Sequence, residues 1–273
     1  MIGQINLINK LNKYNIDNFP RTTLLIGDKG SGKHLICDYI SKNILKLPLY
    51  ELKDLSNELI TEINLSSNPY IYIIDCNTLS EKQQNIILKF IEEPLKNAFI
   101  ILLCTNKNIL LPTIVNRCIS MEIEPYSKEE LSTFVRKEYL NDTDLILSVY
   151  DTPGKIIDNL DHSNYKSLYE LCLKMCDKLN IASYTNTLSI ADKINYKDEY
   201  DKYDIDSFIK MLEECLFNKY LKEGKKIFFK LYSICSEYSS RINIKILNKK
   251  YIIEQLLTQL WMEVRNDAKT DRY

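Results

Sequence analysis

Hydrophobic positions over residues 1–122 switch repeatedly between the helical period and continuous strand-like runs. Ile5, Leu7, Ile8 and Leu11 have helical spacing. Thr22–Ile26 reads as a short apolar strand and runs into the glycine-rich turn Gly27-Asp28-Lys29-Gly30-Ser31-Gly32. Lys33–Leu45 then places Leu35, Ile36, Tyr39, Ile40 and Ile44 on one helical face. Tyr70–Ile74 and Phe99–Leu103 are unbroken apolar runs, the pattern of strands buried on both sheet faces. Between them Ser80 and Gln83 form a capping-box pattern that opens a helix with Ile87, Phe90 and Ile91 as its stripe. Strands alternating with helices predict a parallel sheet covered on both sides.

After Pro125 the strand signal stops. Ser127 with Glu130 is a second capping box, and helical patterns continue through the Pro153-Gly154 break to about residue 163. The remainder is helical, as in Leu168-Tyr169-Leu171-Cys172-Met175 and Ile252-Leu256-Leu257-Leu260-Trp261. The expected fold class is α/β followed by all-α. It divides into an α/β domain over 1–122, a small helical domain over 123–163 and a larger helical domain over 164–273.

Composition narrows the function. Thirty-six basic and 37 acidic residues give a net charge of −1, which excludes a protein that coats nucleic acid by overall charge. Only six of the basic residues are arginine, so each one deserves inspection. The longest apolar run, Ala98–Cys104, is far short of the roughly 18 residues that suggest a membrane span. The opening stretch has no apolar core and no small-residue cleavage site, so a cytoplasmic location is expected. The eight scattered cysteines fit reduced, buried thiols. Cys172 and Cys176 lack a second pair to complete a zinc site, and no zinc is expected.

Gly27 to Lys33 has the G-x-x-x-x-G-K spacing of a phosphate-binding loop, with a strand before it and a helix after. Glycines let backbone N–H groups turn toward phosphate oxygens, and Lys33 adds a point charge. Gly27, Gly30, Ser31, Gly32, Lys33 and His34 are therefore the candidate ATP contacts; an ordinary glycine turn is the alternative. His34 stands where Ser or Thr would place a hydroxyl on Mg²⁺, and imidazole suits that hard cation poorly. Asp75 ends the strand Tyr-Ile-Tyr-Ile-Ile and is placed to hold Mg²⁺ through water, unless it only caps a turn. Cys76 follows it, and a thiol orients an attacking water badly.

Four further segments carry a resemblance: Asp75-Cys76-Asn77-Thr78-Leu79-Ser80, Ile87-Leu88-Lys89-Phe90-Ile91-Glu92-Glu93-Pro94, Leu103-Cys104-Thr105-Asn106, and Leu111-Pro112-Thr113-Ile114-Val115-Asn116-Arg117-Cys118. With the glycine loop they resemble the AAA+ subunits of DNA polymerase clamp loaders, above all the bacterial DNA polymerase III delta-prime family. Ile2-Gly3-Gln4 is similar to that family's opening; the tail matches only in being helical. The resemblance implies an AAA+ P-loop domain, a helical lid and a helical collar that assembles a ring. It implies that Lys33 and the loop glycines contact nucleotide phosphates, that Asp75 serves Mg²⁺, and that Thr105 or Asn106 senses the γ-phosphate. Arg117 would reach in trans into a neighbour's ATP site, where such a finger contributes about 10³ to 10⁵ in rate.

The departures matter too. Asn116 replaces a serine. Gly154 stands where motor subunits carry an arginine, and Lys155 beside it is only an approximate substitute. No four-cysteine cluster lies between Lys33 and Asp75. His34, Cys76 and Gly154 together imply a stator with a degenerate ATPase site. Its partners would be gamma/tau-like motors, a delta-like subunit, a sliding clamp and primed DNA at the replisome, with no membrane. The alternative is a divergent motor ATPase of a small loader. A branch-migration or initiator ATPase fits the Ile-Glu-Glu-Pro and Asn-Arg-Cys segments less well.

Overall fold

A computed structural model describes residues 3–53, 55–56, 63, 68–92, 98–161, 164–179, 181–195, 203–241 and 249–270. Ile2, Glu93 and Pro94 of the quoted motifs lie outside these residues. The chain forms two compact units, Met1–Thr133 with Thr152–Lys155, and Phe134–Asp151 with Ile156–Tyr273.

The first unit is built on five parallel strands: β1 (Thr22–Ile26), β2 (Leu49–Glu51), β3 (Tyr70–Asp75), β4 (Ala98–Cys104) and β5 (Ile119–Glu122), in the order β2-β3-β4-β1-β5. This is the α/β class, with the parallel sheet that the alternating pattern predicts. All seven residues of β4 are buried. Because side chains alternate along a strand, the sheet feeds two cores. Leu25, Ile71, Ile73, Phe99, Ile101 and Leu103 point one way, onto α1 (Ile5–Leu11) and α2 (Lys33–Tyr39), which contribute Leu7, Leu11, Ile36 and Cys37. Leu24, Tyr72, Ile74, Ile100, Leu102 and Cys104 point the other way, onto α3 (Glu81–Glu92) and α4 (Pro112–Val115) through Ile87, Phe90 and Ile114. Each such aliphatic side chain contributes about 1.5–3 kcal/mol by leaving water.

Both capping boxes are present. Gln83 Oε1 accepts from Ser80 N at 3.0 Å and Ser80 Oγ from Gln83 N at 3.4 Å. Ser127 and Glu130 cap α5 (Lys128–Ser132) reciprocally. The helix after the glycine loop departs from expectation: it passes into π-type turns over Ile40–Leu45, and Leu35 is 60% exposed while Cys37 takes its place in the core. β2 and β5, which the hydrophobic pattern does not announce, add the two sheet edges.

The second unit is mainly helical: α6 (Thr143–Val149), most of α7 (Pro153–Asp161), α8 (Asn164–Lys178), α9 (Tyr184–Leu188), α10 (Ile205–Glu223), α11 (Lys226–Arg241) and α12 (Lys249–Thr270). It also holds a two-residue parallel pair, β6 (Ile194–Asn195) with β7 (Tyr203–Asp204), where the sequence pattern predicts only helix. Phe208, Met211, Leu212 and Leu216 of α10 are buried in its centre, as are Ile252, Leu256, Leu257 and Leu260 of α12. Among the described residues no helix is long and apolar enough to cross a membrane.

Candidate nucleotide site

The glycine loop leaves the C-terminal end of β1 and turns directly into α2. Gly30 (φ +78°) and Gly32 (φ +89°) hold left-handed conformations that a side chain would strain, and Gly32 is the residue that caps α2. Lys33 is buried at the start of that helix. Its ammonium donates to the loop's own carbonyls, Gly27 O at 2.6 Å and Asp28 O at 2.8 Å. Burial lowers its pKa, with Asp75 and then Asp28 opposing that shift. Ser31 is anchored by its carbonyl, which accepts from Tyr126 Oη at 2.8 Å. Its buried hydroxyl has no hydrogen-bond partner among the described residues. His34 is exposed on the first turn of α2.

Strand alternation places Asp75 and Cys76 on opposite faces. Asp75 follows Ile71 and Ile73, on the face that α2 covers, and its exposed carboxylate acts electrostatically on Lys33. Cys76 follows Ile74 into the other core, where it donates weakly to Ile74 O and burial pushes its thiol far up. A neutral thiol in hydrocarbon cannot take a proton from water.

Asn77 links the ends of β3 and β4. Its backbone N and its Nδ2 donate to Asp75 Oδ1 at 2.9 and 2.6 Å. Its Oδ1 accepts from Thr105 N and Thr105 Oγ1, both at 2.9 Å. Lys33, Asp75 and Thr105 thus share one end of the sheet. Asn106 turns its side-chain oxygen to Asn108 N at 2.9 Å, capping a short helical turn instead. Arg117 lies just beyond α4; its Nη1 donates to Thr113 O at 3.0 Å and its Nη2 sits 2.9 Å from Glu92 Oε1. Both side chains of that ion pair are 43% exposed.

Asn77 and Glu92 fall inside quoted motifs but receive no role from sequence. The D-x-N spacing is the signal for the first, an Asx-type turn. Gln84, between the quoted motifs, also receives no role from sequence: from α3 it donates to Ile109 O at 3.0 Å and accepts from Leu111 N at 2.8 Å, fixing the segment that leads to Arg117.

The loop fits a nucleotide's phosphates: two left-handed glycines, a helix start, a buried ammonium and a spare hydroxyl converge on it. Among the described residues no three His, Cys, Asp or Glu side chains group to hold a metal.

A family model described as DNA polymerase III, delta subunit, matches residues 46–127. The delta-prime subunit of DNA polymerase III from Buchnera aphidicola is 25% identical over 168 residues, 60% of this chain and 49% of that one. Over the matched residues the chain is similar to DNA polymerase III delta-prime subunits. The delta-prime subunit of Bacillus subtilis is 28% identical over 96 residues, 35% of this chain and 29% of its own length. The chain thus spans at most about half the length of these delta-prime relatives. Among solved structures, a DNA polymerase III gamma subunit-related protein of Thermotoga maritima aligns over 94% of this chain and 99% of its own, at 15% identity and a TM-score of 0.45.

Proposed function

We propose that the chain is a delta-prime-like stator of a DNA polymerase clamp loader. Its own site takes ATP with Mg²⁺ weakly and turns it over little. Arg117 serves in trans at a neighbouring subunit's ATP, and the ring loads a sliding clamp onto primed DNA in the cytoplasm. The division into a P-loop domain over 1–122, a lid over 123–163 and an oligomerising collar over 164–273 belongs to the same proposal, as do gamma/tau-like and delta-like partners.

The observation that carries this reading is the burial of Cys76 next to Asp75. The phosphate loop is intact, yet the neighbouring position that would orient water offers a protonated thiol facing the core. Binding without efficient hydrolysis follows from that combination. Arg117, in contrast, is exposed, and Glu92 restricts where its guanidinium can go.

The test is steady-state ATP turnover by the purified chain with primed DNA and Mg²⁺, beside Lys33→Ala. Turnover lost in that variant would replace the stator with a divergent motor. With the partner subunits added, Arg117→Ala is expected to lower the complex's turnover by about 10³-fold or more. Unchanged turnover and clamp loading would remove the role given to Arg117.

A further inference from the structure

At the end of the sheet nearest the glycine loop, one side chain carries the pairing of β3 and β4 beyond their backbones. The parallel ladder pairs Ile74 with Leu102 and Asp75 with Leu103, and Cys76 N still donates to Leu103 O at 2.8 Å. Asn77 and Thr105 stand two residues past the last pair. There Thr105 N donates to a side chain, Asn77 Oδ1, at 2.9 Å, and Thr105 Oγ1 donates to the same oxygen at 2.9 Å. On its other side the amide donates through Nδ2 to Asp75 Oδ1 at 2.6 Å, joined by Asn77 N at 2.9 Å.

Donor and acceptor chemistry leaves one way round for that amide. A backbone N–H only donates, so the amide oxygen must face Thr105; a carboxylate only accepts, so the nitrogen must face Asp75. Among the described residues Asn77 is the sole hydrogen-bond partner of the Asp75 side chain, and both its donors go to Oδ1. An exposed carboxylate at a strand end otherwise turns freely between rotamers. Two bonds to one oxygen restrain it and leave Oδ2 open. Asp75 also acts electrostatically on Lys33, so the restrained carboxylate belongs to the loop's surroundings.

We propose that Asn77 is a positioning residue of the nucleotide site: by holding Oδ1 it keeps Oδ2 of Asp75 presented to the Mg²⁺ that accompanies ATP, with Thr105 as the fixed anchor on its other side. This rests on the reading of the site as one for ATP with Mg²⁺. A single open carboxylate oxygen suits that cation, which nucleotide sites hold by one or two carboxylates together with the phosphates. Restraining the carboxylate in advance removes freedom that binding must otherwise take from it.

The test measures ATP affinity of the full chain by calorimetry, with excess Mg²⁺ and again with EDTA, for wild type, Asn77→Ala, Asp75→Ala, the double variant and Lys33→Ala. A residue that works through Asp75 acts only on the magnesium-dependent part of the affinity. Asn77→Ala is expected to weaken binding about three- to tenfold with Mg²⁺ and less than about twofold in EDTA. In the Asp75→Ala background the same substitution is expected to add nothing, because the group it positions is gone. Equal weakening with and without Mg²⁺, as general loosening of the fold would give, overturns the positioning role. So does a loss that adds in full to that of Asp75→Ala, or a wild-type affinity that Mg²⁺ leaves unchanged. In each of these cases Lys33-dependent binding keeps the nucleotide reading standing; its absence in the wild type overturns both.

Discussion

A thiol surrounded by hydrocarbon keeps its proton, and Cys76 has Ile74, Ile87, Phe90 and Leu102 in its cluster. Restoring a carboxylate at that position is therefore a structural change before it is a chemical one. Cys76→Glu is expected to lose about 2–5 kcal/mol of stability, because it buries an unpaired charge, and to gain no ATP turnover. Urea denaturation beside a turnover assay checks both halves. Glu213 on α10 is a second residue whose surroundings set its behaviour. Burial, reinforced by Glu214 and by Asp206 against the opposing Lys210, raises its pKa from 4.5 to about 7, and its Oε1 has no hydrogen-bond partner among the described residues. Between those two pH values the folded chain keeps a proton that the unfolded chain releases, so stability falls as pH rises through the window. Glu213→Gln is expected to remove that fall. At pH 8 the gain would be about 1–2 kcal/mol, after discounting for solvent screening of a half-buried carboxyl. Thermal melts of both proteins at pH 5 and pH 8 measure it.

Among the elements, those that were legible in advance share a cause. β3 and β4 sit inside the sheet with both faces buried, so their sequences are continuous apolar runs. β2 and β5 are edges of three and four residues. In β5 only Met121 is buried, so nothing in its hydrophobicity separates it from a loop; pairing with β1 makes it a strand. The same holds at the site. The glycine loop was readable because φ and phosphate chemistry dictate residue types at fixed spacing. The Asn77 bridge and the Thr152–Lys29 contact were not, since each depends on which chain segments the fold brings together. Thr152 meets Lys29 across 123 positions. Caps are again local and readable: Asp204 accepts from Ser207 N and Oγ at 3.0 Å and starts the 19-residue α10. Asp204→Ala is expected to cost about 1 kcal/mol, visible as a lower denaturation midpoint with an unchanged slope.

At the scale of the whole molecule, a net charge of −1 leaves few counterions for the chain alone to displace from DNA. The isolated chain is expected to bind primed DNA weakly. Log affinity against log salt should fall with a shallow slope, about −0.9 for each phosphate contacted on duplex DNA. Fluorescence anisotropy over a salt series checks this, and a steep slope would expose a concentrated basic face that the net charge conceals. The cysteines are also distributed through the whole molecule. Seven of the eight are buried, in both compact units, and only Cys118, beside Arg117, reaches intermediate exposure, its thiol pushed up by burial to about 12. The native chain thus carries an internal clock of its own opening: in iodoacetamide Cys118 should acquire the first mass increment, slowly, and each later increment should time the release of the hydrocarbon around one more sulfur.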